Sequence, residues 1–239
     1  MDPDLAAEPW SYPGSPATCS GLLDGDRFTP RRPSDLLHLA GDRSVVVAVG
    51  SNASPAVMHR KLARHGVAGT VPLVAGTLAG CAVGHSAHVS VPGFVAAAPY
   101  EDAHAVTPVY VTLLDAAQVR CVGLSEPSYV RRRLVPGRCV LELEGGTRPA
   151  TFDLYDSRFG LLAPPGGPPL GLRPQEALHA YLRAHWPPYD GLLGTGTPRE
   201  VMHLLAADAH LRTRVREALA ETGWTRDSGL ASWPSADPA

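Results

Sequence analysis

Lysine is almost missing from this 239-residue chain: Lys61 is the only one, and every other permanently basic side chain is arginine. With a formal net charge of −2 there is no basic field to gather a nucleic acid, so no nucleic-acid partner is expected. The arginine preference, together with heavy Ala, Gly and Pro usage, reads as GC-rich coding bias. Cysteine is equally sparse. Cys19, Cys81, Cys121 and Cys139 are scattered, with neither metal-site spacing nor the density of a disulfide scaffold, and a reducing cytoplasm is the expectation. No long hydrophobic run is present. The longest, near Val71–Val83, is short and rich in Gly and Ala, too weak for a membrane span. The first ten residues, MDPDLAAEPW, have no basic or apolar segment of signal-peptide type, so no membrane contact and a cytoplasmic location are expected.

What is there suits a folded protein. Hydrophobic residues make up 44% and charged ones 18%, enough to build a core in one sizeable domain or two small ones. Residues 1–33 carry Pro, Gly, Ser and Asp without periodicity and read as a loose N-terminal arm or a surface wrap. Ser34-Asp35 opens a short turn, Leu36–Leu39. Short β-like segments follow at Val45–Ala48, Thr70–Ala75, Ala87–Val91, Phe94–Ala97, Val106–Leu114, Val130–Val135, Arg138–Leu143 and Thr151–Tyr155. Asp115 is positioned to cap a short helix, Ala116–Gly123. A Pro/Gly linker, residues 163–173 and densest at Ala163–Leu170, closes a domain spanning 34–162. Beyond it, residues 174–239 turn helical. Pro174–His185 has one apolar face, Thr197-Pro198-Arg199-Glu200 forms a capping box ahead of Val201–Ala207, and Leu211–Glu221 follows, with a frayed tail from Asp227. Strands first and helices last predict an α+β fold with a C-terminal helical annex.

Two stretches carry candidate chemistry. The first is Val45–Leu62, a β-branched strand running into Gly50-Ser51-Asn52-Ala53 and then a helix with Ser54 as N-cap and Pro55 at its first position. N–H groups gathered at such a turn, at the positive end of a helix dipole, suit a carboxylate, a phosphate or a developing oxyanion; an ordinary strand-turn-helix joint has the same sequence. The second is Glu126, fixed between a short helix and a strand in Leu124-Ser125-Glu126-Pro127-Ser128-Tyr129. Beside apolar Leu124 its carboxyl would suit acid–base work near neutral pH. The alternative is a turn glutamate paired with Arg131, Arg132 or Arg133.

Taken in order, Val49-Gly50-Ser51-Asn52, Gly93-Phe94-Val95-Ala96-Ala97-Ala98, Val109-Tyr110-Val111-Thr112-Leu113-Leu114 and Glu126-Pro127-Ser128-Tyr129 resemble the γ-glutamylcyclotransferase-like family over about Val45–Leu143. The resemblance implies a small mixed β-barrel flanked by helices and an enzyme that cyclises γ-glutamyl amines to 5-oxoproline and a free amine. It implies Glu126 as the general acid–base group, and Gly50, Ser51, Asn52, Ala53 and Tyr129 as the walls that bind a small-molecule γ-glutamyl substrate. No metal or organic cofactor is implied. The chain departs from the family pattern at Val49, where tyrosine is usual, at Val111 and Pro127, where glycine is frequent, and at Leu114, where an aromatic is common. These departures put the substrate's shape in question. They leave open a catalytically silent ligand- or partner-binding module, and also a γ-glutamyl amide hydrolase or transferase. The leaving amine and the oligomeric state are not encoded legibly.

Other groupings are weaker. Ser51 lacks a Gly-x-Ser-x-Gly setting and a nearby His/Asp pair. His85 and His88, three apart on a strand-like stretch, point to opposite faces and read as loop histidines rather than metal ligands. Arg131, Arg132 and Arg133 alternate across a strand and suggest a solvated edge guarded against strand addition, or a surface for an acidic partner. Cys121 and Cys139 read as core thiols. Trp186, Tyr189 and the loop Gly191–Gly196 either cover a pocket mouth or anchor the annex.

Overall fold

A computed structural model describes residues 4–236. In chain order the strands are β1 (Gly21–Asp24), β2 (Arg27–Pro30), β3 (Ser44–Ala48), β4 (Val71–Val89), β5 (Val95–Leu114), β6 (Tyr129–Leu134), β7 (Val140–Leu143), β8 (Phe152–Ser157), β9 (Leu161–Leu162) and β10 (Thr225–Arg226). The helices are α1 (Pro33–Leu37), α2 (Pro55–Arg64), α3 (Ala116–Leu124), α4 (Gln175–His185), α5 (Tyr189–Leu193), α6 (Pro198–Ala207) and α7 (Ala209–Glu221). The result is a mixed α+β protein. Its large mixed sheet is open, which corrects the expected barrel: the path of paired strands runs from β10 to β6 and does not close on itself.

The residues divide into two compact units that interleave along the chain. Of the described residues, a helical unit takes 4–14, 83–98 and 159–227, and a sheet unit takes 15–82, 99–158 and 228–236. The Pro/Gly stretch Ala163–Leu170 therefore lies inside the helical unit. Residues 1–3 of the expected arm and 237–239 of the expected annex lie outside the described residues.

In the sheet unit, β1 and β2 form a hairpin, β1 pairs with the start of β4, and β7 lies antiparallel to the middle of β4. β3 runs antiparallel to β5 and parallel to β8, and β6 is antiparallel to β8. Val47, Val74, Leu78, Val111, Leu113, Leu141 and Phe152 meet in its core. The expected short strands are pieces of longer ones. Thr70–Ala75 and Ala87–Val91 fall on the two ends of β4, a strand 19 residues long, apart from Thr70, Ser90 and Val91, and Phe94–Ala97 and Val106–Leu114 fall on β5, which has 20, apart from Phe94. The intervening Gly76 and Gly80 are glycines because β7 and the residues leading into it come too close for a side chain. A Cβ on Gly76 would lie 2.6 Å from the Glu142 carbonyl oxygen, and one on Gly80, at φ +81°, only 1.9 Å from that of Arg138. Residues 228–236 of the tail are anchored rather than frayed: Leu230 is fully buried, and the Arg133 N–H donates to Pro234 O at 3.0 Å, along the edge of β6.

The described residues 4–33 hold packed side chains and are not a loose arm. In the sheet unit Leu23 is buried within the β1–β2 hairpin. In the helical unit Tyr12 stacks on Phe94 with ring centroids 4.2 Å apart, and its hydroxyl accepts the Ala97 N–H at 2.8 Å. That unit's core joins Leu178, Leu182, Trp186, Tyr189, Leu205 and Trp224. Trp186 and Tyr189 are both only 1% exposed, so they serve this core and not a pocket mouth. Thr197 and Glu200 form the expected capping box at the start of α6. Gly93 sits at φ +97°, and a Cβ there would meet the Met202 carbonyl oxygen at 2.2 Å. Gly93→Ala should therefore cost about 1–3 kcal/mol through backbone strain, more if α6 is displaced, and thermal melting reads the loss directly.

Candidate functional site

Ser54 caps α2 by accepting the Val57 N–H, as expected, and Val57, Met58 and Leu62 bury the helix's inner face. Ser51–Ala53 form a 3-10 turn, in which the Ala53 N–H donates to Gly50 O and the Ser54 N–H to Ser51 O. Two N–H groups of the expected anion-binding turn are thus used within it. Gly50 itself has φ −141°, outside the left-handed region, so backbone freedom alone does not demand glycine there.

Asp115 caps α3 through a capping box with Gln118, and the helix ends at Leu124. The turn that follows holds Glu126 by its backbone: its N–H donates to Gly123 O at 3.1 Å and its carbonyl accepts the Tyr129 N–H at 3.0 Å. The helices α2 and α3 touch each other, and the Cys121 thiol donates to the Lys61 carbonyl at 3.4 Å.

This packing brings three side chains from three elements to one point. Asn52 Nδ2 donates to Glu126 Oε1 at 3.1 Å, Lys61 Nζ lies 2.5 Å from the same oxygen, and Lys61 Nζ donates to Asn52 Oδ1 at 2.8 Å. The side chains of Lys61 and Glu126 are 17% and 16% exposed, so the cluster is mostly enclosed yet reachable. All three bonds leave Glu126 Oε2 out, and they use two of the three N–H donors of the Lys61 ammonium.

Of the residues singled out by sequence, Asn52 and Glu126 meet directly. Gly50, Ser51 and Ala53 supply the turn that carries Asn52, and Tyr129 is buried at the foot of the Glu126 turn. Glu126 pairs neither with an apolar wall nor with the nearby arginines. Leu124 is 71% exposed and gives no dry pocket. Arg131 and Arg133 are bound to Asp153, and Arg132 to Asp156. With Arg131 only 7% exposed and Asp153 and Asp156 buried, the expected solvated edge is instead an ion-pair ladder that only Arg133 leaves largely in water. The residue missed by sequence reading is Lys61. Its signal was present: the chain's sole lysine lies in the helix that follows the Gly-Ser-Asn turn.

Among the described residues no group of three His, Cys, Asp or Glu side chains is arranged to hold a metal ion. His85 and His88 lie inside β4 with 0% and 6% exposure, as core groups rather than loop residues. Cys121 and Cys139 are buried, and Cys139 Sγ lies 3.8 Å from Cys81 Sγ. Among the described residues no helix is long and apolar enough to cross a membrane. A groove of about 490 Å³ in the helical unit, lined by Pro164, Pro165, Tyr181, His185, Pro187 and Trp224, contains no carboxylate and offers stacking surface.

No protein-family model matches the sequence, and no curated protein matches it. A solved structure described as "Gamma-glutamyl cyclotransferase" is similar at 12% identity and a TM-score of 0.37, over 73% of this chain and 98% of that one. At that score the site stands on its own atoms.

Proposed function

We propose that the chain is a γ-glutamylcyclotransferase-like enzyme acting on a small γ-glutamyl amine, with Glu126 as the proton-transfer group. The α-amine of the substrate attacks its own γ-carbonyl, the amide C–N bond breaks, and 5-oxoproline and a free amine leave. The reaction asks the protein for little beyond proton transfer and a folded substrate, since ring closure is intramolecular. The observation that carries this reading is the hydrogen bond between Asn52 and Glu126, 74 positions apart in the sequence, which joins the first and last of the four motifs of the family resemblance in one cluster. The Gly50–Ala53 turn and Tyr129 then border the bound substrate, and no cofactor is needed.

The test is mass spectrometry for 5-oxoproline after incubation with glutathione and a panel of γ-glutamyl amino acids and amines. Glu126→Gln should lower turnover by about 10²–10⁴-fold while melting stays near that of the wild type. Unchanged turnover in that variant would refute the assignment. Linear glutamate in place of 5-oxoproline would mark a hydrolase, and a new γ-glutamyl amide a transferase. A silent ligand- or partner-binding module is the second reading, favoured by Val49 and by the ammonium already seated on Glu126. Ligand binding without product from any substrate would select it.

A further inference from the structure

The cluster at Glu126 presents more than a carboxylate. The bonds within it leave one acceptor, Glu126 Oε2, and one donor, the third N–H of Lys61, uncommitted. An acceptor next to a charged donor complements an amide undergoing attack, where a nitrogen gives up a proton while the carbonyl oxygen gains negative charge. Backbone donors are fewer than the sequence suggested, because the Ala53 and Ser54 N–H groups close the 3-10 turn. The lysine is also held in place. Its carbonyl accepts from Cys121, and its ammonium is tied to Asn52 and Glu126, so little reorganisation is needed when charge develops. A compact ammonium with three donors can bridge two oxygens and still offer one N–H, whereas the planar arginine fork commits its donors in one plane.

Resting on the cyclotransferase reading above, we infer that Lys61 is a second catalytic residue, whose ammonium stabilises the oxyanion formed at the substrate's γ-carbonyl. The substrate α-amine nitrogen bonds to the γ-carbon, and its proton passes to Glu126 Oε2. The carbonyl π electrons move onto oxygen, where the Lys61 N–H receives the charge. When the carbonyl re-forms, the bond to the departing amine breaks and that amine takes the proton back from Glu126. Atoms, protons and electrons balance without a further reactant.

The experiment measures kcat and KM for 5-oxoproline release from the best γ-glutamyl substrate, in the wild type, Lys61→Met, Lys61→Arg and Glu126→Gln, each checked by thermal melting. Lys61→Met is expected to lose about 100-fold in kcat with KM changed less than about threefold, because the lost donor acts in the transition state. Lys61→Arg keeps the charge and the ion pair, so it should fold like the wild type and still remain at least about tenfold slow. An active wild type with kcat in both variants within about threefold of its own would overturn the inference and leave the cyclotransferase reading standing. A rise confined to KM would also overturn it, since that marks ground-state binding. A wild type that releases no product from any substrate would remove the reading and the inference together.

Discussion

Acidification from pH 6.5 to 4 is expected to unfold the helical unit. His85, His88 and His179 are 0%, 6% and 2% exposed, and burial holds each imidazole well below its ordinary value of 6.5, down to about 4. Burial is the leading cause in all three. Arg173 beside His85, Arg216 beside His88 and Arg183 beside His179 push the same way, while the Val95 carbonyl draws His85 partly back. Because the folded values lie below the unfolded one, the fold holds these groups neutral. Their contribution is fully present above pH 6.5 and is lost as pH falls toward 4, where the unfolded chain binds protons that the fold refuses. Each such displacement amounts to about 3 kcal/mol, so three together approach about 10 kcal/mol, as much as the whole stability of an ordinary domain.

The surroundings explain why the three stay uncharged. Ser86 Oγ lies 2.5 Å from His88 Nδ1, the Tyr189 hydroxyl 2.8 Å from His179 Nδ1, and the Arg173 N–H donates to His85 Nε2 at 3.1 Å. His179 Nε2 is the exception, buried without a hydrogen-bond partner beside a cavity of about 20 Å³, room for about one water molecule. Urea unfolding followed by the fluorescence of buried Trp186 and Trp224 should show stability falling by up to about 4 kcal/mol per pH unit near pH 5. Replacing His88 by a neutral residue should lower that slope by about a third. A flat profile between pH 6.5 and 4.5 would disprove the assignment of these groups.

The same histidines mark where sequence reading stopped. Local signals translate well. Ser54, Asp115 and Thr197 cap the helices assigned to them, since a cap depends on residues within one turn. The strands Thr70–Ala75 and Ala87–Val91 were visible by their β-branched residues, but the Gly- and Ala-rich stretch joining them into β4 was not. Part of its strand character comes from pairing with β7 over Gly76–Ala79, a contact with no local trace. His85 lies within that stretch and His88 just beyond it, and both read as loop residues. In the candidate site, Asn52 and Glu126 were legible because each belongs to a motif. Lys61 joins them only through the contact of α2 with α3, and a lone lysine on a helix ordinarily belongs to solvent.

Asp153→Ala is expected to destabilise the sheet unit by about 3–5 kcal/mol, with a melting temperature roughly 10 °C lower. Asp153 on β8 is 2% exposed and takes two arginines from β6: Arg131 Nη1 at 2.7 Å, and Arg133 through Nε at 2.9 Å and Nη2 at 3.1 Å. Arg131 and Arg133 share one face of β6, as strand alternation requires, and Asp153 sits opposite Arg133 in register. The two ion pairs are not equivalent. The Arg133 side chain is 46% exposed and can return to water, so Arg133→Ala should cost less than about 1 kcal/mol. The Arg131 side chain is 8% exposed and cannot; without Asp153 its charge stays enclosed and underpaired. Arg131 also binds the C-terminal segment, through Nη2 to Ala236 O at 3.1 Å and by accepting the Ala236 N–H at 2.8 Å. Loss of Asp153 should therefore loosen the tail as well, and limited proteolysis beyond Asp227 would report it separately from melting. Pairing the change with Arg131→Met should recover most of the lost stability, because the large cost comes from an enclosed charge stripped of its Asp153 carboxylate and not from a missing attraction. If Arg131→Met with Asp153→Ala melts as low as Asp153→Ala alone, the burden lies in the cavity left at Asp153 and the charge argument fails.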